Sequence, residues 1–143
     1  MLRVAVAVLL IVGVSAHAQA LTLGEAKAKN AVRLGGAELK QLMPGTKVVE
    51  RTAAGSTRTW KNSPNGTFVA SSDSKGSAMG RALPASGNGT WRIGDKGTYC
   101  ATIHWSGMVS EEWCRYIFKV DGKYYGFGKL DGSAVGSEFE FLK

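Results

Sequence analysis

The chain of 143 residues is poor in the residue types that carry most metal and acid–base chemistry. It holds two histidines, and His17 lies in an N-terminal stretch that reads as a leader, so His104 is the only histidine of the remaining chain. There are two cysteines, Cys100 and Cys114. Zinc sites usually draw on three or four protein ligands. No resident metal and no cofactor are therefore expected. Acidic residues number eleven against eighteen basic ones, and only Glu111–Glu112 and Glu138/Glu140 cluster. Glu138 and Glu140 alternate with Phe139 and Phe141, which reads as solvated strand decoration. An acid–base pair has to converge in a pocket, no serine sits in a nucleophile elbow, and no catalytic residues are expected. Long hydrophobic runs are also scarce. The only one is Val4 to Val14, broken by Gly13.

That run is the first positive signal. Arg3 precedes it, and Ala16-His17-Ala18 and Ala18-Gln19-Ala20 both have the small-x-small form that signal peptidases read. The run falls short of the ~20 residues of a comfortable bilayer span. Residues 1–20 thus read as a cleaved signal peptide, the alternative being an uncleaved N-terminal anchor. With no second run, no membrane span is expected after cleavage, and the destination is periplasmic or secreted. The net charge of +7 is spread over scattered residues such as Lys40, Arg58, Arg92 and Lys129, which reads as a solvated basic surface. Export removes nucleic acid from the expected partners.

Residues 21–34 hold alanines and charges without a long apolar face and read as a loose N-terminal arm. In "GGAELKQLMPG" (35–45), Leu39, Leu42 and Met43 share a helical face and Pro44-Gly45 stops the helix. From Thr46 onward, short runs of Val, Thr and aromatics alternate with Gly, Asn and Asp turns. The runs are 47–52, 56–60, 67–71, 89–93, 98–105, 112–120, 123–129 and 137–142. The expected fold is mainly β: a small antiparallel meander, barrel-like, of about eight short strands with one short N-terminal helix. Residues 35–143 form a single β-rich domain. "SDSKGSAMGRALPASGNG" (72–89) interrupts the rhythm as a long polar loop, either mobile or functional.

Turn residues set the register. Asp121-Gly122 is a strong hairpin signal and pairs Val120 with Lys123. By period-two alternation, Cys114, Tyr116, Phe118, Val120, Tyr125 and Phe127 then share a face, taken as the core face. A hairpin centred on Gly107 brings Cys100 opposite Cys114, close enough for a disulfide. Closing a loop of ~15 residues contributes about 3 kcal/mol in the chain-entropy model, and one bridge is what an exported two-cysteine domain most often carries. A two-residue turn at Asp95-Lys96 pairs Trp91 with Cys100 and sets the indole near that bridge. Gly-Thr-aromatic occurs at 66–68, 89–91 and 97–99. Each copy reads as a glycine leaving a turn, a threonine entering a strand and a ring entering the sheet. A three-residue loop, Asp131-Gly132-Ser133, pairs Tyr125 with Phe139.

On this register the candidate pocket comprises Thr102, His104, Tyr116, Tyr125 and Trp91. The plainer reading of His104, a half-exposed histidine beside the 105–110 turn, is preferred. Ile103, Trp105 and Trp113 cluster on the face away from the disulfide. Trp105 and Trp113 are a candidate interaction surface for a sugar or a protein, unless the helix at 36–43 covers them.

The signal peptide, "AELKQLMPG", "GTW", the "YC" and "CR" strands and "DGKYYGF" together resemble a family of small exported bacterial proteins, domain of unknown function 995. The resemblance runs from about Gly35 to Leu142, apart from the 72–89 stretch. It implies an exported β-rich domain and supplies no site residues. The leading expectation is a non-enzymatic binding module for a small molecule or cell-envelope component. The alternative is a protein-interaction domain, such as an inhibitor of a secreted hydrolase. A hydrolase of envelope polymer is a weaker third.

Overall fold

The computed structural model of the chain describes residues 20–78 and 81–143. In chain order the elements are β1 (Leu21–Thr22), α1 (Leu23–Ala28), β2 (Val32–Arg33), α2 (Gly36–Leu42), β3 (Lys47–Arg51), β4 (Thr57–Lys61), β5 (Thr67–Ala78), β6 (Arg81–Ile93), β7 (Tyr99–Trp105), β8 (Glu111–Val120), β9 (Lys123–Phe127) and β10 (Val135–Leu142). From β3 to β10 each strand pairs antiparallel with the next, and β10 returns to pair with β3. The expected meander is therefore an eight-stranded antiparallel barrel. At that strand number the interior is just wide enough to be filled by side chains.

It is filled. Val48, Trp60, Phe68, Tyr99, Ile103 and Phe139 are buried in one cluster, with Trp91 and Trp113 packed against it. Trp60 stacks on Phe68 with ring centroids 5.3 Å apart, and Trp113 meets Tyr99 edge-on at 5.7 Å. Two glycines make room for rings. A Cβ at Gly89 would stand 2.2 Å from the Phe68 ring, and one at Gly126 would stand 2.5 Å from Phe139. Tyr99 Oη accepts from Trp60 Nε1 at 2.9 Å and donates to Asn62 Oδ1 at 2.8 Å. That chain satisfies polar atoms which burial would otherwise leave costly.

One end of the barrel is closed by α2, whose Leu39, with Met43 at the helix C-cap, is fully buried in the same cluster. Gly45, at φ +73°, turns the chain out of the helix into β3. The other end carries the β3–β4, β7–β8 and β9–β10 connections and the long β5–β6 ribbon, and it is open.

The register shows what the turns dictated and where they misled. Asp121 and Gly122 both take positive φ (51° and 74°), and Val120 pairs with Lys123 as expected. Cys100 faces Cys114. At the β6–β7 turn, Gly97 (φ +68°) adds one residue, so Ile93 pairs with Tyr99 and Trp91 with Ala101, not with Cys100. One step of register moves every side chain to the opposite face. Trp91 therefore points away from the disulfide and into the barrel. The β9–β10 pairing likewise sets Phe139 opposite Tyr124, not Tyr125, so Phe139 goes inside and Glu138 pairs with Tyr125.

The face taken as the core is the outer one. Tyr116, Phe118, Tyr125 and Phe127 lie outside the barrel and form a second cluster with Leu23 and Ala26 of α1, both fully buried. Residues 21–34 are thus an ordered strap and not a loose arm. Thr22 and Glu25 form a capping box at the start of α1, β1 pairs with β10, and β2 pairs with β8. Only alanine and leucine spaced three apart are needed to cover four rings, too faint a pattern to stand out in a short helix. The signal-peptide expectation falls on residues 1–20, of which 1–19 lie outside the described residues.

The 72–89 stretch is not a loop either. It continues β5 and opens β6, with Ser72 opposite Ala85 and Ala78 opposite Arg81, and an irregularity between Ser72 and Gly76. Backbone pairing holds it, where β-branched side chains would have announced a strand. The backbone N–H of Thr57 donates to Asp73 Oδ1 at 2.9 Å and ties the ribbon to β4. That bond and Ser74 hold the Asp73 carboxyl below its ordinary range. Of the three Gly-Thr-aromatic copies, Gly66 and Gly97 leave turns at positive φ, whereas Gly89 sits inside β6 beneath Phe68.

Candidate functional site

Period-two alternation places a polar residue beside an aromatic or aliphatic one on each inward face near the open end. On β3 Glu50 follows Val48, on β4 Arg58 precedes Trp60, and on β8 Glu111, Trp113, Arg115 and Ile117 alternate. On β10 Ser137 precedes Phe139. These side chains meet above the aromatic filling.

Arg58 Nη1 is hydrogen-bonded to Glu111 Oε1 and lies 3.7 Å from Glu50 Oε2. Glu111 also accepts from Trp105 Nε1 at 3.2 Å and from Trp113 Nε1 at 3.1 Å. The guanidinium of Arg58 stands over the Trp105 ring at 5.6 Å, and that of Arg115 over the Trp113 ring at 5.4 Å. Glu50 is 1% exposed. Burial pushes its carboxyl above the ordinary glutamate range, and the opposing pull of Arg58, Arg115 and a Ser137 hydrogen bond does not cancel that push. The 3.7 Å approach of Arg58 is a Coulombic contact and too long for a hydrogen bond. Among the described residues, Glu50 Oε2, Arg58 Nε and Arg115 Nε are buried without a hydrogen-bond partner, as is Ser72 Oγ outside the cluster. A cavity of about 430 Å³ opens over the cluster, lined also by Thr52, Ser56, Ser74, Val135 and Ser137.

Such a site can grip a small polar or charged molecule. It offers hydrogen-bond donors and one carboxylate on a rigid barrel wall, in surroundings where each bond counts for more than in water. Among the described residues no three His, Cys, Asp or Glu side chains converge as metal ligands.

Of the residues singled out from sequence, Trp105 and Trp113 belong to this cluster and the rest fall elsewhere. Cys100 and Cys114 form a disulfide across β7 and β8, on the outer face. Thr102 is half-buried on that face, in a shallow 160 Å³ groove with Arg92 and Glu112. His104 is exposed, its Nδ1 2.7 Å from Ser110 Oγ, and among the described residues no ion pair joins it to a carboxylate. Tyr116 and Tyr125 pack under the strap, with Arg33 4.6 Å above the Tyr116 ring. Trp91 alone of the five lines the interior, 6.5 Å from Tyr99, its indole N–H donating to the Ser63 carbonyl at 2.9 Å. The five residues do not form one pocket. Trp105 and Trp113 cluster as expected on the face away from the disulfide. That face is the barrel interior, where Trp105 is buried and Trp113 partly buried in the cluster that Leu39 of α2 also joins. Glu50, Arg58, Arg115 and Ser137 were missed. The signal for the three charged ones was a charge at the same parity as a tryptophan or valine two positions away, and for Ser137 a small polar residue two before Phe139, legible once the interior face is assigned correctly.

A sequence profile of the family described as "Protein of unknown function (DUF995)" matches residues 8–133. No curated protein and no solved structure matches the chain. The matched stretch includes Glu50, Arg58, Glu111 and Arg115 and both cysteines, and stops short of Ser137. The chain belongs to the DUF995 family of proteins of unknown function.

Proposed function

We propose that this protein is an exported, non-enzymatic binding module, periplasmic or secreted, that takes a small molecule or cell-envelope component at the open end of its barrel. One observation carries the reading: charged side chains with unpartnered buried atoms line a cavity of about 430 Å³, in a barrel otherwise filled with rings. Buried polar groups are nearly always satisfied in folded proteins, and a cluster of exceptions at an opening calls for a partner. Export is supported by the leader-like residues 1–20 and by the disulfide. Native mass spectrometry of protein released gently from its own periplasm tests the proposal. A retained mass lost on Ser137→Trp, which fills the opening, is expected. Ligand-free protein, or a retained mass indifferent to that substitution, overturns it.

A second reading, a protein-interaction domain such as an inhibitor of a secreted hydrolase, is favoured by two features. The interior is filled, and β5 and β6 run on beyond their barrel neighbours as a ribbon of two strands. Shortening that ribbon would then abolish partner capture and leave the barrel folded.

A further inference from the structure

Donors outnumber acceptors in the ion cluster. Arg58 and Arg115 together bring ten N–H groups, while Glu50 and Glu111 bring four oxygens. Glu111 is already engaged by Arg58, Trp105 and Trp113. Glu50 and Glu111 both flank Arg58, which leaves Arg115 with no ion pair to any carboxylate among the described residues. The Nε atoms of both arginines are buried and without a partner. The Arg115 guanidinium also lies within cation–π range of an indole, 5.4 Å from the centre of the Trp113 ring. The cluster thus holds idle donors on both arginines beside one idle acceptor, Glu50 Oε2, and the donors of Arg115 have no carboxylate paired with them.

We infer that the open end binds a compact organic monoanion, its carboxylate received by Arg115 in the cavity shared with Arg58, Ser56 and Ser137; this rests on the open end being the ligand site. A guanidinium fork matches a carboxylate in shape and charge. A single negative charge fits better than two, because Glu50 and Glu111 both stand in the same cavity wall. Glu50 then becomes the proton partner of binding. It faces Arg58 on β4, Glu111 and Arg115 on β8, Ser137 on β10 and the buried Tyr99 hydroxyl on β7. Burial raises its carboxyl, and at a pH where Glu50 is still ionised an arriving anion is accommodated by proton uptake there. Protonated, Glu50 turns its idle oxygen into a donor toward the anion.

The test titrates the whole mature chain at fixed ionic strength with acetate, acetamide, methylammonium and inorganic phosphate. The readouts are the indole N–H signals of Trp105 and Trp113 in NMR spectra, with calorimetry in parallel. Acetate should saturate, and its affinity should fall as pH rises through the raised Glu50 value, by up to tenfold per pH unit for a single linked proton. That slope should flatten in Glu50→Gln. Arg115→Met should weaken acetate at least tenfold and Arg115→Lys less. Acetamide binding as tightly as acetate would overturn the charge assignment and leave the open end standing as a site. Phosphate binding more tightly than acetate would overturn the monoanion. A response to methylammonium alone would reverse the sign of the ligand. If no probe moves either indole, the idle donors are served by water and the inference fails, whatever native mass spectrometry finds at the opening.

Discussion

Glu50 shows how one residue can set a trend for the whole protein. Its carboxyl, raised mainly by burial, binds a proton more tightly in the folded than in the unfolded chain. The stability it contributes is therefore fully present below its ordinary value of 4.5 and is lost as pH rises through the raised folded value. Glu50→Gln, which copies the neutral form, should match the parent near pH 4. At pH 8 it should exceed the parent, because the ionised carboxylate is the form that burial penalises. Urea denaturation across that range reads this directly, and a variant weaker than the parent at pH 8 would show the Arg58 attraction to dominate. At this scale the sequence was only partly legible. Asp121-Gly122 was read correctly because both positions demand positive φ, which few residue pairs tolerate. Gly97 also takes positive φ, but "GDKG" is compatible with either a two-residue turn or a turn that adds a residue, and backbone chemistry alone does not choose.

Among the elements, the strap of β1, α1 and β2 accounts for the largest departure from expectation. Strands β8 and β9 are apolar on both faces, Ile117 inward and Phe118 and Phe127 outward. Local pattern had to pick one face, and it picked the one richer in rings. What identifies the true interior is non-local: β10 closing on β3, and a six-residue helix lying over the outer rings. Leu23→Ala should cost about 3 kcal/mol, as large-to-small changes at fully buried sites do, and should raise hydrogen exchange in β1 and β2 before the barrel opens. An unchanged melting temperature would mean that the strap is not part of the cooperative fold. The strands and α2 were legible because their periods are short and their stops, Pro44-Gly45 and the glycine turns, are chemically unambiguous. The ribbon was not, since serine, glycine and alanine form strands only when a partner strand is already in place.

The molecule as a whole separates its covalent lock from its candidate ligand site. The Cys100–Cys114 bridge lies outside the barrel, while Glu50, Arg58, Glu111 and Arg115 lie within it. Reduction, or a Cys100→Ala/Cys114→Ala variant, should lower stability by about 3 kcal/mol and leave ligand affinity at the open end unchanged where the variant remains folded. Urea midpoints with and without reductant, set beside acetate titrations, check both halves. Affinity falling in step with stability would show that the wall bearing Arg115 depends on the bridge.

The closed circuit of β3 to β10 has a further consequence for the life of the chain among its own copies. A circle of strands has no first or last member, so the backbone amides and carbonyls that seed cross-β growth are spent on neighbours all the way round. Apart from the two-residue strands β1 and β2, a longer exposed edge lies where β5 and β6 outrun β4 and β7, past Ser72 and Ser86, and pair only with each other. Self-association of concentrated protein, if it is provoked by heat or acid, should start from that hairpin.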